Sequence, residues 1–358
     1  MEEIKITAAQ IRRNTKRFRK AAASALAAVL ITFLGISPAV AEAKILVPVG
    51  RAVGIKLASD GVMIVGIPDT CSDGETPSPS KSAGFKAGDI ITRLGKTAIS
   101  SGEELKKAMG RQDGRAVSVQ VRRGGETAQF DITPHKIKSG EYSLGLWVRD
   151  GISGIGTITF YDPETGAYGA LGHSVNDGET GVMMPVREGA ISRISVTDVA
   201  KGKSGTPGQL HGAFDFEDKL GTITSNTGCG IFGTASPGAM GGGAVMEAAE
   251  ESEIHTGEAY ILSNVAGSEV RKYSAEISRV FTGREADGRS MLVTVTDPAL
   301  TEATGGIVQG MSGSPIIQDG KLIGAVTHVL VNDPSKGYAV SITRMLESAG
   351  IGKSALAA

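Results

Sequence analysis

GGIVQGMSGSPIIQDGKLIGAVTHVLV (residues 305–331) sets Ser312 between glycines, follows it with Pro315, and then joins two apolar runs through Asp319-Gly320. An Asp-Gly pair flanked by apolar runs predicts a hairpin. Ser312 therefore lies on a tight turn at the edge of a β-structure, a position that suits a nucleophile. Glycine at Gly310 and Gly313 lets the backbone turn its N–H groups inward, so the amides of Gly310 and Ser312 are candidate donors to a developing oxyanion. The motif is short, and a Ser/Gly turn without chemistry is the competing reading.

Working outward, the same pattern of short apolar strands and glycine or Asp-Gly turns runs back to about Tyr142: GIGTITFY (154–161), AISRISVTDV (190–199), LGTITSN (220–226), AYILSNV (259–265) and RSMLVTVTD (289–297). Few helical runs interrupt them, which argues for an all-β barrel or sandwich. A serine nucleophile needs a base and a group that orients the base. Of five histidines, His173 in the glycine-flanked LGHSVNDGETG is the first candidate, and His328, alternating with apolar neighbours in VTHVLV, is the second. His135, His211 and His255 lie in polar loop contexts and read as surface residues. For the acid, Asp297 ends an apolar strand just before Pro298, and Asp177 is the alternative; as an isolated Asp before Pro, Asp297 also reads as a turn residue.

Upstream, ILVPVG (45–50), VGIKL (53–57), GVMIVG (61–66), DIITRLG (89–95), AVSVQVRR (116–123) and TAQFDIT (127–133) read as strands. SGEELKKAMGR carries the one clear helical pattern, with Ser101 as N-cap, Glu104 as its capping-box partner, and Leu105 and Met109 four apart. The stretch SAGFKAGDIITRLGKTAISSGEELKKAM (82–109) resembles bacterial PDZ domains. That resemblance implies a peptide groove in which the backbone of Val53, Gly54, Ile55, Lys56 and Leu57 takes a chain terminus and the next strand pairs with the peptide.

Six basic residues between Arg12 and Lys20 precede the uncharged run from Ala21 to Ala41, which closes on the small-x-small site Ala39-Val40-Ala41. This is the pattern of an export signal; the run is also nearly long enough to anchor the chain, and everything after it is expected outside the cytoplasm. The expected domains are a signal or anchor over 1–43, a PDZ-like peptide-binding domain over 44–135 and the β-rich domain that carries Ser312 over 136–358.

Lys and Arg total 37 against 38 Asp and Glu, for a net charge of -1, so the basic footprint of a nucleic-acid partner is absent. Glycine, at 50 of 358 residues, is about twice as frequent as usual, without a G-X-Y period, which suits a β-rich fold with many turns. Two cysteines, Cys71 and Cys229, are too few for a disulfide scaffold or a cysteine zinc site and leave room for one long-range bridge. No HExxH, Cys/His metal spacing or P-loop occurs, PGAMGGG (237–243) reads as a loop, and neither metal nor cofactor is expected.

Together, LGHSVNDGETG, the Asp297 segment, GIVQGMSGSPIIQDGKLIGAVTHVLVNDPSKGYAV, the PDZ-like module and the export signal closely resemble the SpoIVB peptidases, PDZ-containing serine endopeptidases of sporulation. Residue by residue, the resemblance implies that Ser312 is the nucleophile, His173 the base, Asp297 the acid and Thr327 a supporting residue. The order His, Asp, Ser is similar to chymotrypsin-like peptidases and implies a double β-barrel; Met311 stands where those enzymes carry the Asp that pairs with a freed N-terminus. The resemblance further implies secretion into the space between forespore and mother cell, self-cleavage in the N-terminal segment, and cleavage of a membrane-complex regulator that leads to activation of a late sigma factor. The reading from a different class is a PDZ scaffold with an inactive peptidase-like domain that binds a membrane complex without cutting it.

Overall fold

The computed structural model describes residues 43–281 and 289–351, so the expected export segment over 21–41 lies outside the described residues. The chain enters through β1 (Ile45–Pro48) and the long β2 (Ala52–Gly66). It then forms α1 (Ser80–Ala83), β3 (Ile90–Leu94), β4 (Thr97–Ala98), α2 (Gly102–Met109), β5 (Val117–Arg123) and β6 (Glu126–Ile132). A small ribbon, β7 (His135–Lys136) with β8 (Tyr142–Ser143), leads to β9 (Trp147–Tyr161). β10 (Ala167–Ala170), β11 (Glu188–Ala200), β12 (Gln209–Thr227) and β13 (Gly230–Ala235) follow.

Pairing in the order β2, β9, β10, β13, β12, β11 and back to β2 closes six of these strands into a ring. Its interior holds Val53, Ile55, Leu57, Ile158, Tyr168 and Ile191, all nearly inaccessible to solvent. β14 (Met246–Glu247) pairs with β1, and the chain then builds a second barrel. That barrel runs in the order β15 (Gly257–Ser263), β16 (Arg271–Val280), β17 (Met291–Val295), β20 (Asp333–Ser341), β19 (Lys321–Leu330), β18 (Pro315–Gln318) and is closed. Two short helices flank its strands, α3 (Pro298–Thr304) and α4 (Ile342–Ala349). The architecture is the expected one, mainly β, with a PDZ domain and a double β-barrel.

Strand β2 of the expected 44–135 segment takes part in the first barrel. Val53 to Leu57 lie inside the first barrel, where β2 pairs with β11 on one edge and β9 on the other. The PDZ domain is an insertion within that barrel: β2 leaves it at Asp60-Gly61, where the register shifts, and Val62 and Met63 pair with β3. Gly61 has φ +113°, and a Cβ there would come within 2.7 Å of the Ile91 carbonyl oxygen, so the crossing requires glycine. Val62, Ile64, Ile91, Leu94, Val119 and Val121 form the PDZ core; burying each such side chain contributes about 1.5–3 kcal/mol. In the PDZ-like stretch, Asp89, 1% exposed, receives both Nε and Nη2 of Arg123 at 2.6 and 2.7 Å. At α2 the Ser101 hydroxyl accepts from the Glu104 amide at 3.2 Å, as the sequence predicts. The Glu104 carboxylate, however, takes the Ser100 amide at 2.7 Å, so the reciprocal half of the capping box is displaced by one residue. Cys71 and Cys229 are both free thiols.

Candidate active site

A cleft of about 460 Å³ brings Ser312, His173, Thr327, His328 and Gly310 together. Ile55, Ile155, Leu171, Ile307, Val308 and Val329 supply much of the rest of its wall, which among the described residues includes no Lys, Arg, Asp or Glu.

His173 reaches the cleft through a strained turn at the end of β10. Leu171 and Gly172 both adopt left-handed backbone, with φ 70° and 71°. Leucine rarely does so, and here it is held by burial and by its amide, which donates to the Thr157 carbonyl at 3.2 Å. A Cβ on Gly172 would lie 2.9 Å from Thr327 Cγ2 and 3.0 Å from Val340 Cγ1, so glycine is what lets this turn of the first barrel press onto the second.

The Ser312 turn is equally specific. Gly310 and Gly313 have φ +99° and +97°, and a Cβ on Gly313 would run into the Thr157 carbonyl. The Ser312 hydroxyl donates to the Thr327 carbonyl at 2.6 Å. The amides of Gly310 and Ser312 donate to no acceptor among the described residues, and both residues line the cleft. Such a pair of amides is the arrangement that stabilises charge developing on a carbonyl oxygen. Met311 between them is fully buried in the second barrel's core, where a charged residue would lack a partner.

His173 Nδ1 lies 2.8 Å from the Ser174 carbonyl oxygen, which makes it the protonated nitrogen and leaves Nε2 as the acceptor. Burial in the cleft, and to a lesser degree the imidazole of His328, push its pKa from 6.5 down to about 4. The two rings sit 4.7 Å apart. His328 is exposed on the cleft side of β19, not packed away as its apolar neighbours suggest.

Asp297 is not brought to His173. Its carboxylate caps α3, accepting from the amides of Ala299 at 2.9 Å and Leu300 at 3.2 Å, and from the Ser274 amide at 3.1 Å. Asp followed by Pro at the first helical position is a helix-start signature, which is the physical reason for this placement. Asp177, the alternative, is 1% exposed and committed to its own turn through Thr180 and Glu179 and to Arg149. The Ser174 carbonyl stands at His173 Nδ1, in the place expected of a carboxylate. Thr327 is in the site, with its carbonyl on Ser312 and its hydroxyl donating to the Tyr338 carbonyl at 3.1 Å. Among the described residues no group of three His, Cys, Asp or Glu side chains is arranged to hold a metal ion.

Val53 to Leu57 cannot present free backbone to a peptide, because both edges of that strand are paired inside the barrel. A second groove, of about 280 Å³, lies elsewhere in the PDZ domain, between α2 and the run from Tyr142 to Val148. Leu105, Lys106 and Met109 line one side and Leu144, Leu146 and Val148 the other. The Leu144 and Gly145 carbonyls are held by the hydroxyls of Ser80 at 2.6 Å and Ser78 at 2.8 Å. The amides of Leu144 and Leu146 donate to nothing among the described residues. The Trp147–Arg149 part of β9 pairs with β2 on one edge only, which leaves the other edge open. Sequence reading missed this groove; Leu144-Gly145-Leu146, a glycine between leucines just before a strand, is the local signal that marks it.

A model of the SpoIVB peptidase S55 family matches residues 140–346, and a PDZ domain model matches residues 52–133. No curated protein matches the chain. Among solved structures, the PDZ domain of the SdrC-like protein Lmo2051 from Listeria monocytogenes is 24% identical, covering 25% of this chain and 87% of that one, with a TM-score of 0.20. The Rv3671c protease from M. tuberculosis in its active form is 14% identical, covering 57% of this chain and 76% of that one, with a TM-score of 0.33. Its inactive form, also 14% identical with a TM-score of 0.33, covers 56% of this chain and 85% of that one. By the match over residues 140–346, the chain belongs to the SpoIVB peptidase family and is a PDZ-containing serine endopeptidase.

Proposed function

We propose that Ser312 is the nucleophile of this peptidase, His173 its general base, and the amides of Gly310 and Ser312 its oxyanion donors. The observation that carries the reading is their convergence on one cleft, with the Nε2 lone pair of His173 and both amides uncommitted among the described residues. In the acylation step the Ser312 hydroxyl leaves the Thr327 carbonyl, gives its proton to His173 Nε2, and Oγ bonds the scissile carbonyl carbon. The carbonyl oxygen takes the negative charge and meets the two amides; the proton then passes to the leaving amine as the C–N bond breaks. Water repeats the sequence on the ester, releasing the carboxylic acid and returning the proton to Ser312. A cleft walled by branched aliphatic side chains, without Lys, Arg, Asp or Glu among the described residues, favours a peptide with an aliphatic residue at the scissile bond.

In this reading the groove between α2 and Leu144–Val148 captures a substrate or partner chain, by its C-terminus, through backbone pairing and the open amides. The substrates are a protein in a membrane complex and the chain's own N-terminal segment. The setting is the space between forespore and mother cell, reached through the export signal; cleavage there leads to activation of a late sigma factor. These roles rest on the family likeness. Reaction with a fluorophosphonate probe tests the chemistry: the intact protein is labelled and Ser312→Ala is not. Equal labelling of both places the nucleophile elsewhere, and no labelling of either favours the inactive scaffold.

A further inference from the structure

The geometry points to Thr157 and Thr159 as positioning residues that hold the nucleophile turn in its oxyanion-binding shape, an inference that rests on Ser312 being the nucleophile. Both belong to β9, in the first barrel, and both are fully buried. The Thr157 hydroxyl donates to the Gly310 carbonyl at 2.8 Å, and the Thr159 hydroxyl to the Gly313 carbonyl at 2.8 Å. Between them, the Thr157 amide donates to the Ser312 carbonyl at 2.8 Å. Three carbonyls of the turn are thus fixed by one strand that lies more than 150 positions earlier in the chain.

A threonine in a strand is ordinary, and β-branching alone would explain it. What β-branching does not explain is where the hydroxyls go. Ile158 and Phe160, which alternate with the threonines, turn apolar side chains into the first barrel's core and into the cluster formed with Leu46, Phe232 and Met345, whereas Thr157 and Thr159 send their side-chain hydroxyls to backbone oxygens of another barrel. Valine would give the same shape and the same strand preference without those bonds.

The consequence is local. The Gly310 carbonyl belongs to the peptide unit that joins the two oxyanion donors. Gly310 carries no side chain to limit its rotation and sits at φ +99°. The neighbouring units are anchored separately: the Gln309 carbonyl accepts from the Leu210 amide at 2.8 Å, and the Met311 carbonyl from the Ser314 amide at 2.9 Å. The remaining unit is held at both ends: its N–H, on Met311, donates to the Val308 carbonyl at 3.1 Å, and the Thr157 hydroxyl fixes its carbonyl from the other barrel. The same residue's carbonyl accepts from the Leu171 amide beside His173, so Thr157 sets the spacing of the base turn and the nucleophile turn from one point.

The test is steady-state cleavage of an aliphatic peptide substrate by Thr157→Val, Thr157→Ser and Thr159→Val, each normalised to folded protein by circular dichroism. For Thr157→Val, kcat is expected to fall about tenfold to a hundredfold with KM little changed, below the roughly hundred- to thousandfold cost of deleting an oxyanion donor outright. Thr157→Ser retains the hydroxyl and is expected to stay within about threefold of the parent, and Thr159→Val to fall less than Thr157→Val. A Thr157→Val kcat within twofold of the parent overturns the inference, as does a loss confined to KM. If Thr157→Val does not fold, Thr157→Ser decides: a loss as large as that of a donor deletion means that the methyl packing, not the hydroxyl, holds the turn. Activity retained in Ser312→Ala would instead remove the nucleophile assignment, so the two failures are distinguishable.

Discussion

The Ser312 hydroxyl and the Thr327 carbonyl are 2.6 Å apart, so the proposed nucleophile rests on the backbone of the neighbouring strand and not on an imidazole. The Thr327 side chain acts elsewhere, since its hydroxyl bonds the Tyr338 carbonyl and its methyl meets the glycine before His173. Thr327→Val keeps the carbonyl and the shape and loses one hydrogen bond. It is expected to cost about 0.5–1.5 kcal/mol in urea denaturation and to leave kcat within about tenfold of the parent. A complete loss of turnover in folded Thr327→Val would give the hydroxyl a direct part in the chemistry.

Asp297→Asn separates a cap from a triad acid. Asparagine caps helices as well as aspartate does, so the bonds to Ala299 and Leu300 survive and activity is retained. A carboxylate that oriented His173 would behave otherwise, since the equivalent change in a triad lowers kcat about 10⁴-fold. Asp297→Ala should cost about 0.5–2 kcal/mol through loss of the cap, with turnover per folded molecule preserved. Abolished turnover in folded Asp297→Asn would restore the catalytic assignment.

Much of this site is legible in the sequence because its parts are local. Ser312 between glycines, and Gly172 before His173, are turn chemistry that can be read within five residues. Asp297-Pro298 is also local, and its own chemistry reads as a helix start; only the family likeness points to a triad acid there. What cannot be read is which strand edges meet. Val53 to Leu57 resemble a peptide-binding segment until β9 and β11 are seen to occupy both their edges, and those partners lie roughly a hundred or more residues downstream. The Thr157 and Thr159 clamps are hidden for the same reason.

The depressed pKa of His173 sets the pH behaviour. With a value near 4 in the fold, the imidazole is neutral, and available as a base, from neutral pH down to about that value. The acid limb of kcat/KM is therefore expected to inflect well below 6.5. Stability follows with the opposite demand. The unfolded chain takes up this proton near pH 6.5 and the folded chain does not, so folding is progressively disfavoured as pH falls from 6.5 toward 4. Thermal unfolding of the parent at pH 7.5 and pH 5 should differ more than that of His173→Gln. An acid limb at or above 6.5, assigned to His173 by its absence in the variant, would contradict the burial argument.

The last prediction separates the two segments that compete for the peptide. Ile55 is paired to Gly154 on one side and Ile191 on the other, is 4% exposed, and lines the active cleft. Ile55→Pro removes an N–H from a strand interior and is expected to break the first barrel, with loss of fluorophosphonate labelling and of cooperative unfolding. Met109, on α2, lines the PDZ groove and not the active cleft, and Met109→Glu places a carboxylate where an apolar terminal residue and its own carboxylate would sit. Binding of a fluorescent peptide with an apolar C-terminal residue, followed by anisotropy, should weaken at least tenfold, about 1.4 kcal/mol, while labelling of Ser312 is unchanged. Peptide binding that survives Met109→Glu removes the groove from consideration. Peptide binding lost in an Ile55→Pro protein that still labels would return the site to β2, because only there would a backbone amide at position 55 be needed for capture and dispensable for the barrel.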